Sequence, residues 1–410
     1  MINKKKIFND PIYGFITIPG ELIFDIVEHP YFQRLRRIKQ LGMTDLVYPG
    51  ALHTRFHHAL GAMHLMGEAL TSLRSKGHEI TDHEIESAQI AILLHDIGHG
   101  PMSHALEFTL LDNVNHEKLT EVIIHDLNKQ FNGALDLAIK MFEDKYERKF
   151  FNQLISSQLD IDRMDYLQRD SFFTGVSEGT IGAARIIKML EVHDNELVVE
   201  EKGIYSVENF LNARRLMYWQ VYLHKATVSA EKMMIQIIRR ARMLSENGTR
   251  LQGTDALLSF LKEHLDFKAF ASHHKHLEQF TALDDHDIWG AIKIWTTHKD
   301  PVLSDLSKSL LSRKLFKIVL SSEAPTKDQL KKIRKEVIEK MDLGEGEVDF
   351  YVKNGTISNS AYFAGPKKIG ILTKKGEVID VAEASDLPNI KALSKIVEKH
   401  YVCWPKIVTL

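Results

Sequence analysis

Residues Ala88 to Ile97 read AQIAILLHDI, and the way this stretch ends constrains the rest of the chain. Apart from Gln89, everything up to Leu94 is apolar, so a helix here has no face for water and belongs inside the molecule. Such a helix has no reason to finish in adjacent His95 and Asp96 unless something neutralises them, because a buried unpaired carboxylate is costly. A divalent cation would do so. Gly98-His99-Gly100-Pro101 then stops the helix, and Pro101 suits the first turn of a new one, whose N-terminus would favour a phosphate.

Upstream, HTRFHHALG (53–61) sets Arg55 and His58 three apart, on one face of a helix, so a metal ligand and a phosphate clamp can be neighbours. Downstream, LDIDRMDYLQRD (159–170) places Asp162, Tyr166 and Asp170 at successive i, i+4 steps, a stripe one nucleotide long. A lone His-Asp pair is most often a satisfied core pair. The order His, His-Asp, Asp on three helices is much more specific.

Around this centre the apolar spacing predicts helices over Gly20 to Leu41, Ala59 to Arg74, Asp82 to His95, Asn115 to Asn128, Ile181 to Leu190 and Ser206 to Glu246. Leu197 to Glu201 alternates like a strand, and the first 270 residues are mainly α. After a charged helix at Lys327 to Lys340, composition changes near Gly344. Glu347 to Val352, Lys368 to Thr373 and Val378 to Val381 read as short strands of a small α+β C-terminal subdomain.

Composition narrows the function. The 410 residues are 44% hydrophobic and 26% charged, with a formal charge of -2. That balance is globular and lacks the positive field of a dedicated nucleic-acid binder, so a small anionic ligand gripped by local clusters is favoured. The single Cys403 allows neither an intrachain disulfide nor a thiolate metal site. No apolar run follows the lysines of MINKKKIFND and none elsewhere is long enough to span a bilayer, so the expectation is a cytoplasmic protein without a membrane partner. Of 21 histidines, 11 fall between His53 and His125, a density that asks for a chemical reason.

HTRFHHALG, LLHDIGHGPMSH (93–104) and LDIDRMDYLQRD resemble the signature segments of the HD-domain superfamily, in the branch containing deoxynucleoside triphosphate triphosphohydrolases. NDPIYGFITI (9–18), FQRLRRIKQLG (32–42), YPGALHTRF (48–56) and YLHKATV (222–228) extend the similarity in order. The resemblance implies an HD-domain helical bundle over 1–270 with an N-terminal regulatory segment; a helical extension over 271–343 and the α+β subdomain over 344–410 are expected to follow it. It implies that His58, His95, Asp96 and Asp162 hold one divalent metal ion (Mn, Fe, Zn, Ni or Mg), with His57 beside the ligand set. It makes His116 and Glu107 a catalytic pair, has His99 and His104 contact phosphates, His99 being also a catalytic candidate, and gives Arg55, Arg163, Arg214 and Lys225 to a cationic shell.

The same resemblance puts Gln40 and Asp170 on the sugar 3'-hydroxyl and packs Tyr166 and Tyr222 against the sugar. The implied reaction is hydrolysis of a deoxynucleoside triphosphate to a deoxynucleoside and triphosphate, with the ion polarising an α-phosphate oxygen and His116 assisting proton transfer. A guanine-nucleotide activator near Lys6, Asn9, Glu28, Gln33 and Arg36 and a homo-oligomer (dimer or tetramer) are also implied. Two rivals stand beside this reading. One is another HD-type nucleotidase or phosphodiesterase. The other is a catalytically quiet regulator that binds nucleotides or single-stranded nucleic acid through basic runs such as Arg239-Arg240-Ala241-Arg242 and Lys331-Lys332.

Overall fold

The computed structural model describes residues 6–111, 113–359, 362, 368–387, 390 and 396–408. The remaining parts of the N-terminal and C-terminal segments discussed above lie outside the described residues. The helix predicted from AQIAILLHDI is Asp82–Leu94, opened by a capping box in which Thr81 and Glu84 satisfy each other's backbone N–H groups. Every residue from Ser87 to Leu94 is buried. Burial of Ile92, Leu93 and Leu94 alone contributes about 1.5–3 kcal/mol each. The Arg55–Ser75 helix packs on it and, on its other side, on Ile161–Thr174. The three stretches that carry the His, His-Asp and Asp motifs are therefore spatial neighbours.

Around these helices lies a mainly α bundle with a smaller sheet-containing C-terminal region. Strands Gly370–Leu372 and Val378–Asp380 extend a sheet begun by Leu190–His193 and Glu196–Glu200, with Glu196–Glu200 and Gly370–Leu372 parallel. Val397–Trp404 lies between Lys317–Ser321 and Lys353–Asn359, antiparallel to both. Strands beyond Gly344 thus pair with strands well before it. An N-terminal hairpin, Ile7–Asp10 with Gly14–Thr17, completes the sheets among the described residues.

Several expected elements differ. Ser206 to Glu246 is two helices, Ile204–Met217 and Lys225–Glu246, separated by a π-turn at Tyr218–Tyr222. Such turns interrupt helices whose apolar periodicity continues through them, and they cluster at functional sites. Glu347 to Val352 is a 3-10 turn, and the strand follows at Lys353–Asn359. The reason is spacing: buried Val348, Tyr351 and Val352 stand at i, i+3, i+4. Gly20 to Leu41 breaks at His29-Pro30 into Glu21–Glu28 and Pro30–Gln33, followed by a 3-10 turn. No α-helix opens at Pro101; Met102 and Ser103 take φ of 58° and 51°, and a 3-10 turn, Ser103–Ala105, stands there instead. The phosphate site expected at that N-terminus loses its basis.

Candidate active site

His58 lies in the first turn of Arg55–Ser75, His95 caps the C-terminus of Asp82–Leu94, and Asp162 lies in the first turn of Ile161–Thr174. Three helix ends thus meet. Asp162 Oδ1 is 3.1 Å from His58 Nε2 and 3.3 Å from His95 Nε2. Asp96 stands alongside, Oδ1 3.5 Å from His95 Nε2 and Oδ2 3.8 Å from His58 Nε2. His58, His95 and Asp162 form a group able to hold a metal ion.

The hydrogen bonds on the far side of each ring make the fit specific. His58 Nδ1 bonds Asp165 Oδ2 at 2.7 Å, and His95 Nδ1 donates to the carbonyl of Ile92 at 2.6 Å. Both Nε2 atoms are buried without a good hydrogen bond among the described residues, and they face the same two carboxylates. An outer acceptor on one ring nitrogen and an open lone pair on the other is the usual arrangement of metal-ligating histidines. His57 is occupied elsewhere, its Nδ1 accepting the N–H of Thr54 at 3.1 Å to cap the helix.

Asp165 is itself clamped. Arg169 donates Nε and Nη2 to its two oxygens at 3.0 and 2.9 Å, and gives Nη1 to Asp10 at 2.7 Å. Asp165 and Arg169 are both fully buried, and a Cβ on Gly61 would come within 2.0 Å of Asp165 Oδ1, so only glycine lets this pair lie against the His58 helix. Sequence reasoning missed Asp165, Arg169 and Asp10. The i, i+4 spacing of Asp165 and Arg169 was a usable signal; the link to Asp10, 159 residues away, was not.

Electrostatics agree with a cation site. Burial works against a charge on His58, but Asp162 and Asp165 outweigh it and raise the imidazole to about 10. Burial would likewise raise Asp162, yet the two histidines hold it well below the usual carboxylate range. The carboxylates that would retain a proton here would also favour a dication in its place. Arg55 pairs with Asp96 through Nη1 and reaches Ser103 Oγ at 3.1 Å through Nε.

Beside this centre is a second imidazole group. His99 and His116 stack with centroids 3.8 Å apart and planes at 14°, and His104 meets them edge-on at 4.8 and 5.2 Å. One ring nitrogen from each of His99, His104 and His116 lies within 4.8 Å of the others, close enough together to contact a single ion. His116 Nδ1 bonds Glu107 Oε1 at 2.7 Å, and the His116 backbone N–H donates to the same oxygen at 2.6 Å. Burial would raise Glu107, but His104 and His116 hold it far below its ordinary value, so it stays ionised. Burial and Arg55 together push His99 well below the ordinary imidazole range. The His116–Gln130 helix approaches so closely that a Cβ on Gly98 would be 2.2 Å from the His116 carbonyl oxygen.

A wall of aromatic rings leads away from the ion site. Tyr166 meets His58 edge-on at 6.4 Å and Tyr222 at 6.1 Å, and the Tyr222 hydroxyl donates to Asp170 Oδ2 at 2.8 Å. Gln40 keeps a buried side-chain oxygen without a partner among the described residues. Arg214 is 9% exposed, and its Nε and Nη1 have no hydrogen-bond partner among the described residues. Arg163 is turned to Asp160, which also caps its helix. Lys225 is exposed at the start of Lys225–Glu246, three residues past Tyr222.

Of the N-terminal candidates, Lys6, Glu28, Gln33 and Arg36 lie near one another. Lys6 pairs with Glu28, and Gln33 Oε1 accepts from Arg36 Nε at 2.8 Å while Arg36 lies over Phe56 at 3.5 Å. Asn9 is exposed on the hairpin strand. Two arginines of the basic run 239–242 are engaged within the fold, while Arg239 is exposed. Arg240 is bound by Asp300 at 3.0 and 2.6 Å, and Arg242 donates to the carbonyls of Leu110 and Phe260. Among the described residues, no helix is long and apolar enough to cross a membrane.

Fold and site together define a helical protein built on a histidine–aspartate centre, and comparison with known proteins gives the family. An HD domain model matches residues 55–170 and an HD associated region model matches 181–257. The Bacillus subtilis protein YwfO is 35% identical over 325 residues, 78% of this chain and 72% of that protein. The Dictyostelium discoideum homolog of the deoxynucleoside triphosphate triphosphohydrolase SAMHD1 is 32% identical over 256 residues, 58% of this chain and 49% of that protein. A phosphohydrolase from Bacteroides thetaiotaomicron has a crystal structure that superposes with a TM-score of 0.95 at 50% identity, covering 98% of this chain and 100% of that one. The chain belongs to the HD-domain phosphohydrolase family.

Proposed function

We propose that this protein hydrolyses deoxynucleoside triphosphates to deoxynucleoside and inorganic triphosphate, with one divalent metal ion held by His58, His95, Asp96 and Asp162. The observation that carries the reading is the continuity of the two open Nε2 atoms with the ring wall Tyr166–Tyr222 and its terminal Asp170. Phosphate chemistry and sugar recognition then lie on one surface. Similarity to proteins named as deoxynucleoside triphosphate triphosphohydrolases supports the same substrate.

A divalent ion bound there supplies Lewis acidity and a water of lowered pKa. The chain does the rest. Water adds to the α-phosphorus as the bond to the sugar O5' breaks, so the triphosphate keeps the new oxygen and the deoxynucleoside leaves as its 5'-hydroxyl once protonated. Ionised Glu107 keeps the hydrogen of His116 on Nδ1, which makes Nε2 the atom that gives or takes a proton. His99 and His104 contact phosphate oxygens. Arg55, Arg214 and Lys225 balance charge that one dication leaves over, with Arg163 positioned through Asp160. Gln40 and Asp170 bind the 3'-hydroxyl, and the two tyrosines exclude a 2'-hydroxyl.

The patch of Lys6, Asn9, Glu28, Gln33 and Arg36 binds a guanine nucleotide that promotes homo-oligomer formation, and the protein works in the cytoplasm. Metal-loaded protein incubated with each dNTP, with and without GTP, should release deoxynucleoside and triphosphate on chromatography. Monophosphate with pyrophosphate, or no turnover of any dNTP, would overturn the reading. Sedimentation velocity that shows no mass change with GTP or any dNTP would remove the activator and leave the hydrolase.

A further inference from the structure

His53 opens the HTRFHHALG segment, and no role follows from its place in the motif. Its side chain is fully buried and stacks on Phe173 with centroids 4.5 Å apart and planes at 20°. Packing alone does not account for its bonds. His53 Nε2 lies 2.8 Å from Asp170 Oδ1, while Nδ1 is buried and has no partner among the described residues, so the hydrogen belongs on Nε2, where the carboxylate accepts it. The other Asp170 oxygen takes the Tyr222 hydroxyl at 2.8 Å. Asp170 is thus fixed from both sides, and each oxygen keeps one further acceptor position.

The backbone of the same residue holds the second sugar-side group. The His53 carbonyl accepts the N–H of Gln40 at 3.0 Å, next to the isolated bridge between Lys39 and Thr54. A 3'-hydroxyl is both donor and acceptor, so it needs a carboxylate for its hydrogen and an amide N–H for its oxygen, at a set separation. One residue therefore sets both partners.

We infer that His53 is a positioning residue for recognition of the sugar 3'-hydroxyl, holding Asp170 through its imidazole and Gln40 through its carbonyl. The inference rests on the nucleotide reading proposed above. It implies that His53 controls discrimination between 2'-deoxy and 2',3'-dideoxy substrates without touching either. A site built to pair a hydroxyl rejects the analogue lacking it, because its buried polar groups are then left unpaired.

The test is kcat/KM for the four dNTPs and their four 2',3'-dideoxy analogues, measured on the metal-loaded wild type, His53→Gln and His53→Leu. Wild type should prefer the dNTP by about 100-fold or more. His53→Leu, which keeps bulk against Phe173 but cannot donate, should lose about ten-fold of that ratio, almost all of it from the dNTP side. His53→Gln, whose amide N–H reaches Asp170, should restore it. A structural role would lower both substrate series together. Equal losses for dNTP and dideoxy analogue, or an unchanged ratio in His53→Leu, would overturn the inference. Should the leucine variant not fold, His53→Asn, whose shorter amide stops short of Asp170, must lose the ratio while His53→Gln keeps it; equal ratios in the two would overturn the inference. A wild type that turns over no dNTP would refute the nucleotide reading itself, a different outcome from either.

Discussion

Asp165→Asn removes the charge behind His58 with almost no change in volume, and its effect can be worked from the contacts. The wild-type carboxylate accepts from His58 Nδ1 at 2.7 Å and from Arg169 at 3.0 and 2.9 Å. An asparagine has one acceptor oxygen and an NH2 group, so one of these donors must face another donor. Loss of such an outer partner weakens a histidine-held metal by about 10–100-fold, or about 1.4–2.8 kcal/mol. Arg169 keeps its bond to Asp10 at 2.7 Å, which limits the loss of folding stability to about 3 kcal/mol. Calorimetric titration of metal-free protein with Mn2+ reads the first figure, and urea unfolding of the same samples reads the second. A variant that stays folded and binds the ion within about two-fold of wild type would refute the claim that Asp165 orients a ligand.

Other consequences follow from the same contacts. Glu107→Gln should leave metal content unchanged and lower kcat by about 100-fold or more, because His116 loses the anion that fixes its tautomer; unchanged kcat on metal-matched samples would count against the pair. Gly98→Ala should lower stability by about 3 kcal/mol, since the new Cβ meets backbone of the His116 helix, and thermal melts would read it. Asp165 is buried, but Arg169 and His58 draw its carboxyl down to about 2, below the ordinary value of 3.8. A depressed carboxylate stabilises the fold above its unfolded-state pKa and stops doing so as pH falls through the folded one. Metal-free wild type should therefore lose about 2 kcal/mol more than Asp165→Asn between about pH 5 and pH 2, measured by urea unfolding; parallel curves would contradict the assignment.

Much of the centre was legible because its chemistry is local in sequence. A buried apolar helix that ends in His95-Asp96 demands neutralisation wherever it folds, and i, i+3 or i, i+4 spacing fixes which of Arg55, His58, Asp162, Tyr166 and Asp170 share a face. What was not legible depends on long-range pairing. His53 meets Asp170 across 117 residues, and the C-terminal strands pair with Glu196–Glu200 and Lys317–Ser321 through contacts that no local pattern announces. The π-turn at Tyr218–Tyr222 escaped notice because helical periodicity runs on through it. The 3-10 turn Ser103–Ala105 comes with two residues in the left-handed region, a conformation their identities, Met102 and Ser103, do not advertise.

The measurement that bears most directly on the centre is anomalous diffraction from crystals grown with Mn2+ and the chain intact. One strong peak should lie within bonding distance of the Nε2 atoms of His58 and His95 and of a carboxylate oxygen of Asp162, with Asp96 completing the set. A peak elsewhere, or an Asp162 carboxylate that takes no part in binding it, would contradict the assignment.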